Sequence, residues 1–536
     1  MSLAPTDEQL VAIEYPYNKA ITARPGSGKT FTLAQMIVKD SKDLLSYQGI
    51  IAISYTRKAS AELKGRCIRY GAIRNRSFYG TIDSFCINEI VAPFLSRFLK
   101  RSVDLKIIDS VNSNKFDERT KDEKVIEALK TGKLPINMLC SAAVLILDRV
   151  EAAKLYVKAR YKSVYVDEYQ DCGSSQHRLI MWLASMGLKT VVVGDLDQAI
   201  FGWANKSPEY LSNLISSTDF RHFALTRNHR CHPSIINYSL RLIGHTDNLL
   251  TTDELRVIRA RIMPLNSPHS RNLVGTDESS IAQAIERFLP NIKNKYKVQK
   301  YSDFAILARS NATLVRFQEA LTVPSKRHAD SVLDRGISKW RRVFIMLLEM
   351  YFSPNRFVDS FLDDYSNLYS KPSTRAKTKL LVLKYLSLAP GKLCEETSLA
   401  VEIAKRCEPR GFNGEDIEAY QKVVSDSSVT AMYYGPPKDN EVNLLTYHKA
   451  KGLEFDVVFC LDTYEYVIPP PNCRKTDSAY KDALSLHYVG ITRARKVCYI
   501  PIATRRHNSK GELRDASPSH FFKLNDINHL RREVEW

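Results

Sequence analysis

Short β-branched runs recur along the chain, each closing on a polar cluster: "GIIAISY" from 49, "SVYVDE" from 163, "TVVVGD" from 190, "FAILARS" from 304, "NLLTYH" from 443 and "DVVFCLD" from 456. Helical patterns such as "RKASAELKGRCIRY" lie between them. Strands alternating with helices predict an α/β fold of parallel sheets, whose ligands gather at the carboxyl ends of the strands, where the polar clusters fall. Two stretches break the rhythm, about 95–160 and about 326–436. Both are charged or basic, helix-like and poor in strand signals, and they read as insertions.

The most informative strand end is "AITARPGSGKTFTLAQ" at 20–35. "NKAITA" reads as a buried strand, and Pro25, Gly26 and Gly28 let the backbone curl until consecutive N–H groups face one phosphate-sized anion. Lys29 supplies a point charge for the β and γ oxygens, Thr30 a hydroxyl for Mg²⁺, and the following helix its positive end. Ala23 stands where the strict pattern has glycine, and Ser27 completes the cradle. In "YKSVYVDEYQD" the strand rule sends Asp167 and Glu168 to opposite faces, which divides their roles. Asp167 is expected to hold Mg²⁺ and Glu168 to polarise the attacking water. In "VVVGDLDQAIFGW", Gln198 is placed to read a γ-phosphate. Phe201 and Trp203 follow within five residues, and Trp203, among small and polar neighbours, suits base stacking.

Lys and Arg outnumber Asp and Glu by 78 to 59, a net charge of +19 that favours a polyanionic partner. The hydrophobic share, 44%, excludes a disordered or fibrous chain. Ten scattered cysteines without a zinc-like spacing predict reduced thiols. With no apolar run near eighteen residues and no basic-then-apolar leader, the expectation is a cytoplasmic protein with no membrane partner.

Taken in order, the motifs resemble those of UvrD/Rep/PcrA-type superfamily 1 DNA helicases. The resemblance implies two RecA-like parallel-sheet domains with two mainly helical insertions, the second reduced relative to full-length members. The first domain would comprise 1–94 and 161–222, the first insertion 95–160, the second domain 223–325 and 437–536, and the second insertion 326–436. Gln9 falls at the adenine-reading glutamine. "AISYTRKASAEL" and "GTIDSF" match two DNA-contact motifs and place Tyr55, Thr56 and Thr81 near DNA. "LTRNHRCHPSI" implies that Arg230 reaches the γ-phosphate, and "LHYVGITRARK" supplies a second arginine finger, Arg493. "LLTYHKAKGLEFDVVF" sets Thr446 and His448 near DNA and Glu454 at the ribose. The implied activity is ATP- and Mg²⁺-dependent 3′-to-5′ movement on single-stranded DNA or on DNA with single-stranded ends. Phe31 and His229 replace the arginine and tyrosine that sandwich adenine in the family. Asp83 stands for a usual histidine, and "DCGSSQ" follows the metal carboxylates in place of D-T-N-x-x-Q. The shortened second insertion also resembles the helicase component of Gabija-type anti-phage systems, which implies an OLD-family nuclease as partner. The alternative reading is an ATP-hydrolysing DNA sensor that regulates such a nuclease with little unwinding of its own.

Overall fold

The computed structural model describes residues 4–55, 57–72, 76–108, 118–202, 206–264, 275–335, 338–353, 358–363, 365, 372–409 and 411–536. Thr56 and Trp203, both expected at DNA, lie outside these residues. The chain divides into two compact units, one comprising 1–275, 450–506 and 513–536, the other 276–449 and 507–512.

The first unit begins with α1 (Asp7–Glu14), β1 (Lys19–Ala23), α2 (Lys29–Ser41), β2 (Gly49–Ile53), α3 (Arg57–Arg69) and β3 (Phe78–Gly80). After an insertion come β4 (Tyr161–Val166), β5 (Lys189–Gly194) and β6 (Arg221–Leu225). These strands form one sheet in the order β3-β2-β4-β5-β1-β6, and its paired strands run parallel. Each strand sends alternate side chains to opposite faces. Ile51, Ile53, Val164, Val166 and Val192 enter one hydrophobic cluster, and Ile50, Ala52, Tyr165, Val191 and Val193 enter another. Burial on both faces is why the sequence shows unbroken apolar runs rather than alternation.

The first unit continues with α4 (Pro233–Leu242), β7 (Val257–Arg261), β8 (Phe455–Cys460), α5 (Ser478–Ile491), β9 (Ala494–Ile502) and β10 (Arg532–Glu535). The four strands lie parallel in the order β8-β9-β7-β10. The insertion at 95–160 is mainly helical, with helices Glu118–Thr131, Leu139–Arg149 and Glu151–Arg160 and one small parallel pair, Lys106–Ile108 with Lys133–Pro135.

The second unit contains three parallel strands, Ser325–Arg327, Val442–Thr446 and Phe304–Ala308, in that spatial order. Its helices, among them Lys339–Phe352, Pro372–Leu386, Thr397–Cys407 and Gly414–Val424, enclose a core of their own around Trp340, Phe344, Tyr385 and Tyr420. The molecule is thus α/β, with parallel sheets and helical insertions consistent with two RecA-like domains.

Candidate functional site

The glycine loop expected to cradle phosphate is held open by backbone conformation and from both flanks. Gly26 (φ 73°) and Gly28 (φ 82°) adopt left-handed geometry, and Gly28 caps the start of α2. A Cβ on Gly28 would meet the Gln9 amide nitrogen at 2.7 Å, and one on Gly26 would meet Arg230 Cβ and Asn228 Oδ1 at 2.7 Å. Gln9 closes a capping box with Thr6 at the start of α1, and its amide nitrogen donates to the Ser27 carbonyl at 3.0 Å. On the other flank, Asn228 Nδ2 donates to the Pro25 carbonyl at 2.6 Å and His229 N to the Gly26 carbonyl at 2.8 Å. Ala23 and Pro25 are buried, and Thr30 is half-buried in the first turn of α2. Ser27 Oγ is buried without a hydrogen-bond partner among the described residues. An orphaned hydroxyl inside a cradle that a Cβ would fill suits a bound phosphate oxygen.

Charged side chains converge beside this loop. The strand rule that set Asp167 and Glu168 on opposite faces does not apply here, because β4 ends at Val166 and Glu168 turns into left-handed backbone (φ 54°). Both carboxylates therefore reach Lys29, whose ammonium lies 3.2 Å from Glu168 Oε1. Burial opposes the Lys29 charge, but Glu168, Asp195 and Asp167 outweigh it and hold the ammonium protonated. The two acids part in the same field. Burial and then the Glu168 charge push Asp167 up to about 7. Burial would also raise Glu168, but Lys29 and Lys451 pull it down to about 2.

Gln198 stands between an acid and a guanidinium. Its Nε2 donates to Asp195 Oδ2 at 2.6 Å, and its Oε1 accepts from Arg493 Nη2 at 3.2 Å. Burial, then nearby Arg230, lowers Arg493 to about 10. Arg493 Nε also donates to the Val489 carbonyl at 3.0 Å, which anchors the side chain to α5. Arg230 Nε donates to Glu454 Oε2 at 2.7 Å, and Glu454 also receives Arg495 at 3.5 Å. The expected ribose reader thus pairs with two guanidinium groups. Phe31 meets Tyr70 edge-on at 5.9 Å, and His229 is exposed.

Of the residues expected at DNA, Tyr55 and Phe201 stack on each other, with centroids 5.4 Å apart and planes 23° apart. Lys206 Nζ lies 5.7 Å from the Tyr55 ring and Lys451 Nζ 5.3 Å from the Phe201 ring. Thr81 caps the short helix Ile82–Phe85, accepting from Ser84 N at 3.3 Å. Asp83 is raised by burial, against the pull of Lys206. In the second unit, Thr446 ends its strand buried and accepts from Lys449 N at 3.3 Å, and His448 is half-buried in the short helix Tyr447–Ala450.

Sequence reasoning passed over Lys451, Gln170, Asp195 and Asn228. Lys451 Nζ donates to Asp171 Oδ2 at 2.5 Å and to the Gln198 carbonyl at 2.9 Å, partners 280 and 253 positions away. Gln170 donates to Glu168 Oε2 and accepts from Asp195 N at 3.0 Å, and in the divergent "DCGSSQ" segment that follows it Gln176 Oε1 accepts from Lys206 Nζ at 2.6 Å. The available signal was position alone: Lys451 lies three residues before Glu454, and Gln170 two after Glu168.

Comparison with known proteins matches residues 5–131 and 113–219 to the UvrD/REP helicase N-terminal domain, and residues 409–505 to the UvrD-like helicase C-terminal domain. The Gabija protein GajB of Bacillus cereus (strain VD045) is 34% identical over 228 residues, covering 41% of this chain and 46% of that protein. A probable DNA helicase II homolog of Mycoplasma pneumoniae is 23% identical, covering 89% of this chain and 80% of that protein. The ATP-dependent DNA helicase PcrA of Staphylococcus epidermidis is also 23% identical, covering 94% and 83%.

Proposed function

The chain belongs to the UvrD/REP helicase family, whose members are DNA-dependent ATPases and helicases, and from that premise we propose an ATP-driven translocase that tracks single-stranded DNA 3′ to 5′. The observation that carries this reading is the convergence of Lys29, Asp167, Glu168, Gln198 and Arg493 beside the glycine cradle. Lys29 and the loop N–H groups bind the triphosphate. Thr30 and Asp167 are the oxygen donors suited to Mg²⁺, which neutralises phosphate charge when bound. Glu168 orients the attacking water. Arg230 and Arg493 meet charge that develops in the transition state, a contribution of about 10³–10⁵ in rate. Gln9, Phe31, His229 and Glu454 surround the nucleoside. Tyr55, Thr81 and Phe201 in the first unit, and Thr446 and His448 in the second, each contact DNA in this reading, as the motifs that contain Thr56 and Trp203 also imply. In this reading, 1–94 with 161–222 and 223–325 with 437–536 are the two motor domains, acting in the cytoplasm.

The 34% identity to a Gabija protein supports a second reading, in which hydrolysis gates a partner nuclease of the OLD family and little duplex is opened. The deciding experiment uses purified protein with 3′-tailed and 5′-tailed duplexes. ATP-dependent displacement of the 3′-tailed strand alone, abolished by Lys29→Ala, is the expected result. DNA-stimulated ATP turnover without displacement favours the sensor. ATP turnover indifferent to DNA rejects both.

A further inference from the structure

A pocket of about 450 Å³ opens at the amino ends of β2, β4 and β5, where Gln48, Ser163 and Lys189 line it. That volume falls in the range of about 300–1,000 Å³ usual for small-molecule sites. Parallel sheets gather their ligands at the opposite edge, the carboxyl ends of the strands, and the glycine cradle follows β1 there. Ser163 lies four positions before Asp167, about 13 Å along an extended strand, and the pocket shares no lining residue with the site already described.

Most charges of the lining cancel. Lys39 pairs with Glu14 at 2.5 Å, and Lys189 donates to both Asp40 oxygens, at 2.9 and 2.7 Å, while the Tyr165 hydroxyl donates to Asp40 as well. Other groups are left over. Ser163 is 2% exposed, and its Oγ has no hydrogen-bond partner among the described residues. Lys162 lines the pocket from an exposed position and forms no ion pair among the described residues. Next to the lining, the fully buried Lys19 donates to the carbonyls of Ala12, at 2.6 Å, and Tyr15, with no carboxylate in ion-pair range among the described residues. Burial, then the charges of Lys189 and Lys39, lower Lys19 to about 7 against the pull of Asp40 and Glu14. On the acidic side only the exposed Asp43 lacks a lysine partner among the described residues. Two uncompensated lysines against one carboxylate favour a negative ligand, and the orphaned hydroxyl has a proton to donate to it. Ile13, Tyr15 and Leu44 add apolar surface to the same lining.

We propose that this pocket binds a small amphiphilic anion, one acidic group on an apolar body. The acidic group accepts from the Ser163 hydroxyl and meets the Lys162 ammonium, and the body lies along Ile13, Tyr15 and Leu44. A hydrogen bond to a charged acceptor is stronger than one between neutral groups, so Ser163 fixes the acidic end. The bound anion also favours the protonated form of Lys19. A carboxylate and a phosphate share this chemistry, and competition separates them. The pocket binds this ligand whether or not the chain moves along DNA.

The test is a fluorescence titration of the full chain with anilinonaphthalene sulfonate, an anion on an aromatic body, with a non-hydrolysable ATP analogue and oligo-dT present in excess to occupy the nucleotide and DNA sites. One saturable site is expected. Ser163→Val should weaken it by about tenfold and Lys162→Glu by at least as much, the loss usual for a hydrogen bond to a charged group. Phenylnaphthylamine, the same body without the sulfonate, should bind more weakly and ignore Lys162→Glu. Hexanoate or hexyl phosphate should displace the dye, and the better competitor identifies the acidic group. The absence of a saturable site, an affinity unchanged in both variants, an uncharged dye that loses as much as the charged one, or failure of both competitors would each overturn the assignment. Lys162 is exposed, so Lys162→Glu answers even where Ser163→Val disturbs β4. DNA-stimulated ATP turnover of Lys162→Glu should match the wild type; a parallel fall in turnover and dye binding would put the dye at the motor site and reject the pocket. A wild type that binds the dye as described but neither nucleotide nor DNA defeats the translocase reading alone.

Discussion

Two buried aspartates, Asp167 in the first unit and Asp416 in the second, occupy opposite electrostatic situations. Asp416, 1% exposed, lies in the first turn of Gly414–Val424, where a helix favours negative charge. It accepts from Arg341 Nε at 2.7 Å and from the Ser338 hydroxyl. Its charge is answered in full. Among the described residues, Asp167, 8% exposed, accepts only from Glu168 N at 2.9 Å, and it stands beside a second carboxylate. Its proton is therefore retained up to about pH 7. Burial of charge does not by itself mark a functional site. What separates the two is incomplete compensation, which a phosphate-bound cation would supply at Asp167 and which nothing further need supply at Asp416.

That contrast can be broken at either end. The largest expected effect lies on the nucleotide side: Arg493→Lys should lower DNA-stimulated kcat by about 10³–10⁵, measured by steady-state ATP turnover. A loss below tenfold would remove Arg493 from the chemistry. At the structural end, Arg341→Ala leaves Asp416 buried and uncompensated and should cost about 3–5 kcal/mol in urea unfolding. Its kcat per folded molecule should stay at the wild-type value. If turnover fell in proportion to stability, the two aspartates would not be separable as argued.

The smallest effect is the pH linkage of Asp167. A folded-state pKa raised from 3.8 to about 7 contributes stability that is complete below pH 4 and lost as pH rises through 7. Glu168, depressed to about 2, contributes in the opposite sense, and its share is lost only as pH falls toward 2. Asp167→Asn should therefore melt a few degrees above the wild type at pH 8, and the difference should vanish by pH 4. Melting curves that stay parallel across that range would contradict the raised carboxyl.

The interior strands were legible because both their faces are covered, so β2, β4, β5 and β8 print as apolar runs. β6 and β10 were not legible. "RHFAL" and "REVE" are largely exposed, and an edge strand has no need of a continuous apolar sequence. β9 was overlooked for another reason: its start carries Arg495 and Lys496, and "ARKVCYIPI" shows its apolar half only after them. At the site, glycine positions and the lysine between strand and helix were readable from local spacing. The facing of Asp167 and Glu168 was not, since a single left-handed residue replaced strand alternation with a turn.

Local chemistry in the chain was enough to specify the glycine cradle, because left-handed glycines and a helix start act on neighbouring residues, and enough to specify the α/β class, because hydrophobic period is a short-range property. The partners of Lys451, the wedging of Gln198 between Asp195 and Arg493, and the closed Tyr55–Phe201 stack had to await folding. Each joins segments far apart along the chain, and the strength of a charge or a ring contact depends on the burial and distance that packing alone establishes.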